Sequence, residues 1–181
     1  MLPGARRVVH VAPPFPDALP PGPPLPGDPA VVVFGSATWF PNRDGASDFV
    51  ERVWPSVRAR VPGARLHVIG LPARSAADVE THRGPDDSAH AFPDGSIFVV
   101  PSRVATGVRM KILEAWARGV PVVSTPEAAS GLDADDAIVV ADDAAGFAEA
   151  IARLERDAAL RERLRASGRA VLRRRHDPDD V

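Results

Sequence analysis

The sequence predicts an α/β protein with a Rossmann-like, doubly wound parallel sheet that is flanked by helices. Two short apolar runs, residues 97–100 and 122–124, have the composition of buried strands. Between them, apolar residues recur at helical spacing over residues 110–116, and Gly119 and Pro121 end that helix. A strand, a helix and a second strand in this order imply parallel pairing, because such a crossover returns the chain to the same edge of the sheet.

The first 29 residues are rich in proline and contain ten of the twenty prolines in the chain. Proline fixes φ and removes a backbone donor, so only residues 7–11 favour a strand. We predict a linker or a surface strap for residues 1–29. A single folded domain is predicted for residues 30–181.

The predicted domain begins with a β-branched run over residues 30–35, which ends in Gly35 and is typical of a central strand. Gly35 permits a tight turn, a close approach of the backbone to a ligand, or both. The next helix is predicted to start at Asn42 or Asp44. Pro55 lies inside this helical pattern, where we expect a kink or a fresh start.

Three side chains near these strands are expected to pack in the core. Trp39 and Phe40 follow the Gly35 turn, and we expect both to be buried anchors beneath the loop. His67 lies among apolar neighbours in the second strand, which favours a packed or edge histidine over a catalytic one.

The rest of the domain continues the alternation of strands and helices. Further strands are predicted over residues 65–70, 79–82 and 137–140, a short helix over residues 86–92, and C-terminal helices that begin at Asp142-Asp143 and Asp157. The arginines of the last helix lie mostly off its apolar stripe and alternate with acidic residues. This pattern indicates a solvated face and not a nucleic-acid surface.

Composition excludes several kinds of site. The chain has no cysteine, which rules out a disulfide framework, a thiolate metal site and a cysteine nucleophile. A net charge of -2 gives no general reason to expect a nucleic-acid partner. No stretch approaches the roughly 18 apolar residues of a membrane span, so we expect a soluble protein of the cytoplasm.

The loop over residues 101–108 lies at the carboxyl edge of the predicted sheet, where open α/β folds bind ligands. It leads Gly107, Arg109 and Lys111 into the first turn of the following helix. The unpaired N–H groups and the dipole of a helix N-terminus favour an anion, and the two cations add to that preference. These residues predict a phosphate site.

The same segment resembles the donor-binding signature of retaining nucleotide-sugar glycosyltransferases of the two-domain GT-B architecture, family four. The signature is small-Gly-x-Arg-x-Lys-x-Leu-Glu-Ala followed by Gly-x-Pro-Val-Val-Ser-Thr. The matching residues are Gly107, Arg109, Lys111, Leu113, Glu114, Ala115, Gly119, Pro121, Val122, Val123, Ser124 and Thr125. A second block, residues 31–50, resembles the first strand, glycine turn and helix of the same catalytic half. Two separated blocks in the right order are more specific than a lone glycine loop.

The resemblance implies that the chain is the C-terminal half of such an enzyme, with a UDP-, GDP- or ADP-linked hexose as donor. Arg109 and Lys111 are then the catalytic candidates, because they can stabilise the departing diphosphate without a metal or another cofactor. The remaining candidates for contacts with the donor are Gly35, Thr106, Gly107, Val108 and Glu114.

Glu114 has two interpretations. In the family, the matching glutamate accepts hydrogen bonds from the ribose hydroxyls, which suits an acceptor-only carboxylate. Spacing alone favours a surface pair with Lys111, but the surrounding signature favours the ribose role. Thr106 stands where many relatives have a glutamate close to the transferred sugar. Residues 82–84 are candidates for contacts with the base, although a solvated loop is the stronger expectation.

The resemblance also implies an N-terminal acceptor-binding domain, which this sequence does not contain. We therefore expect either a piece of a larger enzyme or the product of a fragment gene. The leading hypothesis is glycosyl transfer to a sugar or glycan acceptor that the missing half binds. The alternative is a stand-alone module that binds a nucleotide sugar without transferring it, and an upstream acceptor domain in the gene would favour the enzyme. A GT-B epimerase would need residues that we do not find.

Overall fold

The computed structural model describes residues 12–104, 109–132, 134 and 136–178 of the chain. Its strands are β1 (Ala30–Phe34), β2 (Arg65–Ile69), β3 (Val79–His82), β4 (Ile97–Val100), β5 (Val122–Ser124) and β6 (Ile138–Val140). They form one sheet in the order β3-β2-β1-β4-β5-β6, and each neighbouring pair is parallel. The chain starts at the centre and reverses its direction of travel between β1 and β4, which confirms the predicted doubly wound fold.

Helices cover both faces of the sheet. They are α1 (Phe40–Asp48), α2 (Trp54–Arg60), α3 (Met110–Ala117), α4 (Pro126–Ala129), α5 (Ala144–Arg156) and α6 (Ala158–Arg175). Alternate residues of β1 show the division, since Val31 and Val33 pack with α2 and α5 while Val32 packs with α3. Among the described residues, no helix combines the length and apolar character needed to cross a membrane.

The helical region after β1 starts earlier than predicted. α1 begins at Phe40 with Pro41 in its first turn, and Trp39 holds the N-cap position without a side-chain cap. The predicted start at Asn42 or Asp44 is therefore wrong. Pro41 is accommodated because the first turn of a helix does not need its missing N–H.

Pro55 lies where the helical region starts afresh, as predicted. A π-helical segment, Phe49–Val53, follows α1, and α2 then begins at Trp54 with Pro55 in its first turn. The wider π-helical turn just before Pro55 accommodates a residue that cannot donate a backbone hydrogen bond and whose ring would clash with a regular preceding turn.

The prediction that Trp39 and Phe40 are buried anchors is wrong. Their exposed fractions are 50% and 63%. The buried aromatic anchors are Phe49 and Trp54, further along the same helical region, with exposed fractions of 0% and 1%. Apolar character alone does not distinguish the two pairs. Only the later pair lies on the side of the helices that faces the sheet.

The described part of the proline-rich segment, residues 12–29, lies against the same sheet face as α3 and α6. Phe15 and Leu19 pack against the apolar cluster of that face. The Leu19 N–H also donates to the Ala117 carbonyl at 2.9 Å, which ties the segment to the end of α3. The predicted strand over residues 7–11 lies outside the described residues.

The two C-terminal helices begin where the sequence predicts. The side chain of Asp143 accepts a hydrogen bond from the Gly146 N–H at 2.7 Å, and Asp157 accepts one from the Leu160 N–H at 2.8 Å. These are N-caps, in which a carboxylate satisfies a backbone donor that the first turn leaves unpaired. The short helix predicted over residues 86–92 is a single 3-10 turn, Ser88–Ala91.

Candidate functional site

A cleft lies at the carboxyl edge of the sheet, where β1 and β4 end side by side. Its volume is about 370 Å³. The loop after β1 contributes Gly35 and Ser36, the loop after β4 contributes Ser102, and α3 contributes Lys111 and Glu114. The cleft therefore occupies the point where the strand order reverses, which is the usual ligand position in an open α/β sheet.

The side chain of Lys111 extends from the first turn of α3 to the end of β1. Its Nζ donates to the Asn42 amide Oδ1 at 2.8 Å and lies 3.5 Å from the Phe34 carbonyl oxygen. Burial lowers the pKa of Lys111 from 10.5 to about 8. Both acceptors are neutral, so an anion in the cleft would favour the charged amine and reverse part of this decrease.

Gly35 allows the turn after β1 to pack against the side chain that holds Lys111. A Cβ atom at Gly35 would lie 2.8 Å from both Cγ and Nδ2 of Asn42. The Asn42 Nδ2 in turn donates to the Ser36 carbonyl at 3.3 Å, so its Oδ1 is the end of the amide that faces Lys111. The absence of a side chain at Gly35 thus permits the amide to hold the ammonium group.

Glu114 is held by a second group of polar side chains. Its Oε1 accepts hydrogen bonds from Ser88 Oγ at 2.5 Å and from Arg118 Nε and Nη2 at 3.1 and 2.9 Å. Arg118 also donates to the Pro20 carbonyl. The side chains of Arg118 and Glu114 are 8% and 17% exposed. In place of the surface pair considered with Lys111, Glu114 thus forms a largely buried pair with Arg118.

Arg109 takes the N-cap position of α3. Its Nη2 donates to the Glu127 carbonyl in α4 at 3.2 Å. Nearby, Thr125 Oγ1 donates to the Ser102 carbonyl at 2.5 Å and accepts from the Ala128 N–H at 3.2 Å. These bonds join the loop after β4 and the starts of α3 and α4 on one side of the cleft.

Four of the predicted site residues come together, because Gly35, Arg109, Lys111 and Glu114 all line the cleft. The predicted contacts that lie outside the described residues are Thr106, Gly107 and Val108. Residues 82–84, the candidates for contacts with a base, lie at the end of β3 and are not part of the cleft lining that is described here.

The sequence interpretation missed three polar residues that hold the cleft side chains. It assigned Asn42 to a helix cap and gave no role to Ser88 or Arg118. A signal for Arg118 was available, because it follows Glu114 by four residues and the two therefore share one helix face. Asn42 and Ser88 lie 69 and 26 residues from their partners in the sequence, so no local pattern reports those contacts.

The sequence of this chain matches a family of sugar-transferring enzymes. The family described as glycosyl transferases group 1 matches residues 28–157, which is more than half of the chain. Among curated proteins, none matches this sequence.

Solved structures share the fold at low sequence identity. Sucrose-phosphate synthase from Thermosynechococcus elongatus superimposes with a TM-score of 0.65 and 21% identity, over 84% of this chain and 42% of that one. The C-terminal domain of a group 1 glycosyl transferase, LpcC, from Francisella tularensis has a TM-score of 0.64 and 19% identity, over 85% of this chain and 89% of that one. HepE from Anabaena in complex with UDP and glucose has a TM-score of 0.65 and 14% identity, over 82% of this chain and 44% of that one. The chain thus spans less than half of the synthase and of HepE, and most of the isolated LpcC domain.

Proposed function

Because this chain belongs to the group 1 glycosyltransferases, we propose that it forms the donor-binding half of an enzyme that uses a nucleoside diphosphate hexose. The similar Anabaena structure contains UDP and glucose, the two components of such a donor. The observation that carries the proposal is the ammonium group of Lys111, which lines the cleft and has neutral acceptors. A diphosphate supplies the negative charge that suits it.

Lys111 and Arg109 are proposed to stabilise the diphosphate as it leaves. Transfer breaks the bond between C1 of the sugar and the phosphate oxygen, so negative charge grows on the diphosphate. Both cations line the same cleft, and the dipole of α3 points its positive end toward the same side. We infer that this arrangement supplies enough positive charge for transfer without a metal.

Glu114 is proposed to accept hydrogen bonds from the ribose hydroxyls. All three hydrogen bonds that the described residues donate to it end on Oε1. A carboxylate has about four lone-pair sites on two oxygens, so Oε2 retains its acceptor capacity. Arg118 and Ser88 then have a positioning role, because they fix the carboxylate at the cleft wall while Oε2 receives the ribose.

The acceptor is assigned to a second domain. We propose that a domain preceding the linker of residues 1–29 binds a sugar or glycan acceptor, closes over the cleft and completes a retaining transfer. The mouth of the cleft offers an apolar surface for such closure, since Trp39, Val104 and Met110 line it and are 50%, 54% and 43% exposed. Large exposed apolar side chains that cluster in this way mark surfaces that another domain or partner covers.

Calorimetric titration of the purified chain with UDP, GDP and ADP tests the donor site. We expect one of the three to bind, and Lys111→Met to weaken that binding by roughly tenfold to a hundredfold, the value of one charge-assisted hydrogen bond. Arg156→Met is the matched control, because it also removes a cation but from the exposed end of α5. Equal affinities in the two variants would refute the role of Lys111.

The same titration separates the enzyme from the alternative, a module that binds a nucleotide sugar without transferring it. Both predict binding of a nucleotide by this chain, but only the enzyme predicts that release of free sugar or sugar transfer follows when an acceptor-binding half is supplied. Absence of binding by the folded chain at millimolar nucleotide would contradict both, because each places the donor site on this half.

A further inference from the structure

The edge of the sheet that lies away from the cleft carries a second cluster of chemically active side chains. His67 on β2 and Glu80 and His82 on β3 present one ligand atom each, and these atoms lie within 4.8 Å of one another. None of the three residues contributes to the cleft lining described above. We propose that His67, Glu80 and His82 form a binding site for a transition-metal ion, with Zn²⁺ as the preferred ion.

The pairing of β2 with β3 places the three side chains together. His67 is in register with Glu80, and Ile69 is in register with His82. Side chains two residues apart on a strand point to the same face, and residues in register on parallel neighbours also share a face. The three side chains therefore converge because of backbone pairing, and their arrangement does not depend on a loop.

The hydrogen bonds of His67 leave one ring nitrogen suited to a metal. Its Nε2 lies 2.8 Å from the Pro26 carbonyl oxygen, which only accepts, so Nε2 carries the proton. The lone pair is then on Nδ1, which lies 2.9 Å from Nε2 of His82. A ring N–H that donates to a carbonyl while the other nitrogen faces a metal is the common arrangement of metal-bound histidine.

Glu80 supplies the third donor and is held in a similar way. Its Oε1 accepts from Arg65 Nη1 at 3.1 Å, which leaves Oε2 directed to the histidines, 3.8 Å from Nδ1 of His67. Two imidazole nitrogens and one carboxylate oxygen are a donor set that Zn²⁺ takes in proteins, with a fourth position for water. His67 is fully buried while the Glu80 side chain is 40% exposed, so the fourth position faces solvent.

Binding requires the three side chains to adjust their positions. With ligands at about 2.0–2.1 Å in a tetrahedron, neighbouring donor atoms lie roughly 3.3 Å apart. The two imidazole nitrogens must separate by a few tenths of an ångström, and the carboxylate must approach Nδ1 of His67 by about half an ångström. The ligand atoms of Glu80 and His82, which lie within 4.8 Å of each other, must come to the same separation. On binding, the metal replaces the proton that His82 shares with His67, and that proton moves to Nδ1 of His82. The partly exposed Glu80 has room to move.

A metal here would link the outermost strand to the interior of the sheet. β3 pairs only with β2 in the described sheet. The Pro26 carbonyl, which belongs to the proline-rich segment, contacts His67 on β2. An ion bound by residues of both strands would oppose separation of β3, and through His67 it would also strengthen the attachment of that segment. A metal that binds the folded chain but not the unfolded chain raises the free energy of unfolding by mass action.

Titration of the purified, metal-stripped chain with Zn²⁺, without nucleotide, tests the site. We expect one equivalent to bind and the melting temperature to rise, with Mg²⁺ unable to replace Zn²⁺ because it prefers oxygen ligands. Glu80→Gln keeps the shape of the side chain and removes its charge, and should lower the affinity at least about tenfold. His82→Ala should abolish stoichiometric binding.

The control is His90→Ala, which removes an exposed histidine from the 3-10 turn outside the cluster and should leave Zn²⁺ binding unchanged. The inference fails if the folded chain takes up no stoichiometric Zn²⁺. It fails equally if Glu80→Gln and His82→Ala bind Zn²⁺ as the unaltered chain does, because His67 and His82 would then be a hydrogen-bonded pair only. If His82→Ala does not fold, Glu80→Gln decides between these outcomes.

Discussion

Lys111 and Arg118 are largely buried cations at the two ends of the same helix, but their charges are met in different ways. Arg118, just after α3, donates to the carboxylate of Glu114 and is 8% exposed. Lys111, in the first turn of α3, donates to a neutral amide oxygen and lies near a carbonyl oxygen. The positive charge of Arg118 is therefore balanced within the chain. That of Lys111 is directed to the cleft, where a ligand can balance it.

The difference teaches how a charge that serves structure is distinguished from one that serves binding. Burial lowers the pKa of Lys111 from 10.5 to about 8, and no described carboxylate forms an ion pair with it. This decrease corresponds to a penalty of about 3 kcal/mol for keeping the amine charged at neutral pH. A protein that carries such a penalty in its free state can recover it when an anionic ligand binds.

The largest effect is expected when the balanced pair is broken. Glu114→Ala leaves Arg118 buried without its carboxylate, and we expect the free energy of unfolding to fall by about 3 kcal/mol. Urea denaturation followed by circular dichroism measures this change. Glu149→Ala is the matched control, since the partners of Glu149 lie on the surface and that pair contributes at most about 1 kcal/mol. Equal losses in the two variants would contradict a structural role for Glu114.

The second largest effect is a change in stability when Lys111, the cation without a carboxylate partner among the described residues, is replaced. Lys111→Met removes the buried charge, so we expect the variant to be more stable than the unaltered chain at about pH 7, by roughly 1–3 kcal/mol. Below about pH 8, Lys111 is charged in both folded and unfolded chains and the full penalty applies. Between about pH 8 and 10.5 only the unfolded chain keeps the proton, so the stability of the unaltered chain rises relative to the variant.

Comparing urea denaturation of the unaltered chain and Lys111→Met at about pH 7 and about pH 9.5 measures this difference, because the titration of every other group cancels. The advantage of the variant should shrink by about 2 kcal/mol over that interval. Nucleotide affinity should change in the matching direction, since binding favours the protonated amine: it should fall above about pH 8 in the unaltered chain but not in the variant. An advantage that is constant with pH would show that Lys111 keeps its ordinary pKa.

The sheet was more predictable from the sequence than the polar contacts of the cleft, and the reason is the range of the interactions. β4 and β5 lie where short apolar or β-branched runs predict them, because strands that are buried on both faces need such runs. Asp143 and Asp157 cap helices through contacts that span three residues. These features depend on neighbours in the sequence, so a local pattern reports them.

The cleft depends on contacts between distant parts of the chain. Asn42 looks like a helix cap in the sequence, yet its amide holds Lys111 across 69 residues. Trp39 and Phe40 have the apolar character of core residues but are exposed, and Trp39 lines the cleft. The buried residues of α1 are Gly45 and Ala46, and the large buried aromatics Phe49 and Trp54 come only after α1, so the residues around Trp39 do not reveal which side faces the sheet.

The smallest effect is expected at the glycine beside the amide that holds Lys111. Gly35→Ala places a Cβ 2.8 Å from Cγ and Nδ2 of Asn42, so the amide must turn and its bond to Lys111 is lost. We expect a loss of about 1 kcal/mol of stability and a several-fold loss of nucleotide affinity, because the displaced group is a side chain that can move. Urea denaturation and calorimetric titration measure the two losses.

A double-mutant cycle with Asn42→Ala shows whether Gly35 acts through that amide. If the added methyl group mainly displaces the Asn42 amide, the double variant should be nearly as stable as Asn42→Ala alone, because Cγ and Nδ2 are then absent and only Cβ, at 3.1 Å, remains close. Additive losses would mean that the added methyl group disturbs the backbone of the turn itself. In that case the close packing at Gly35 would serve the turn after β1, and would not act on Lys111 through the Asn42 amide.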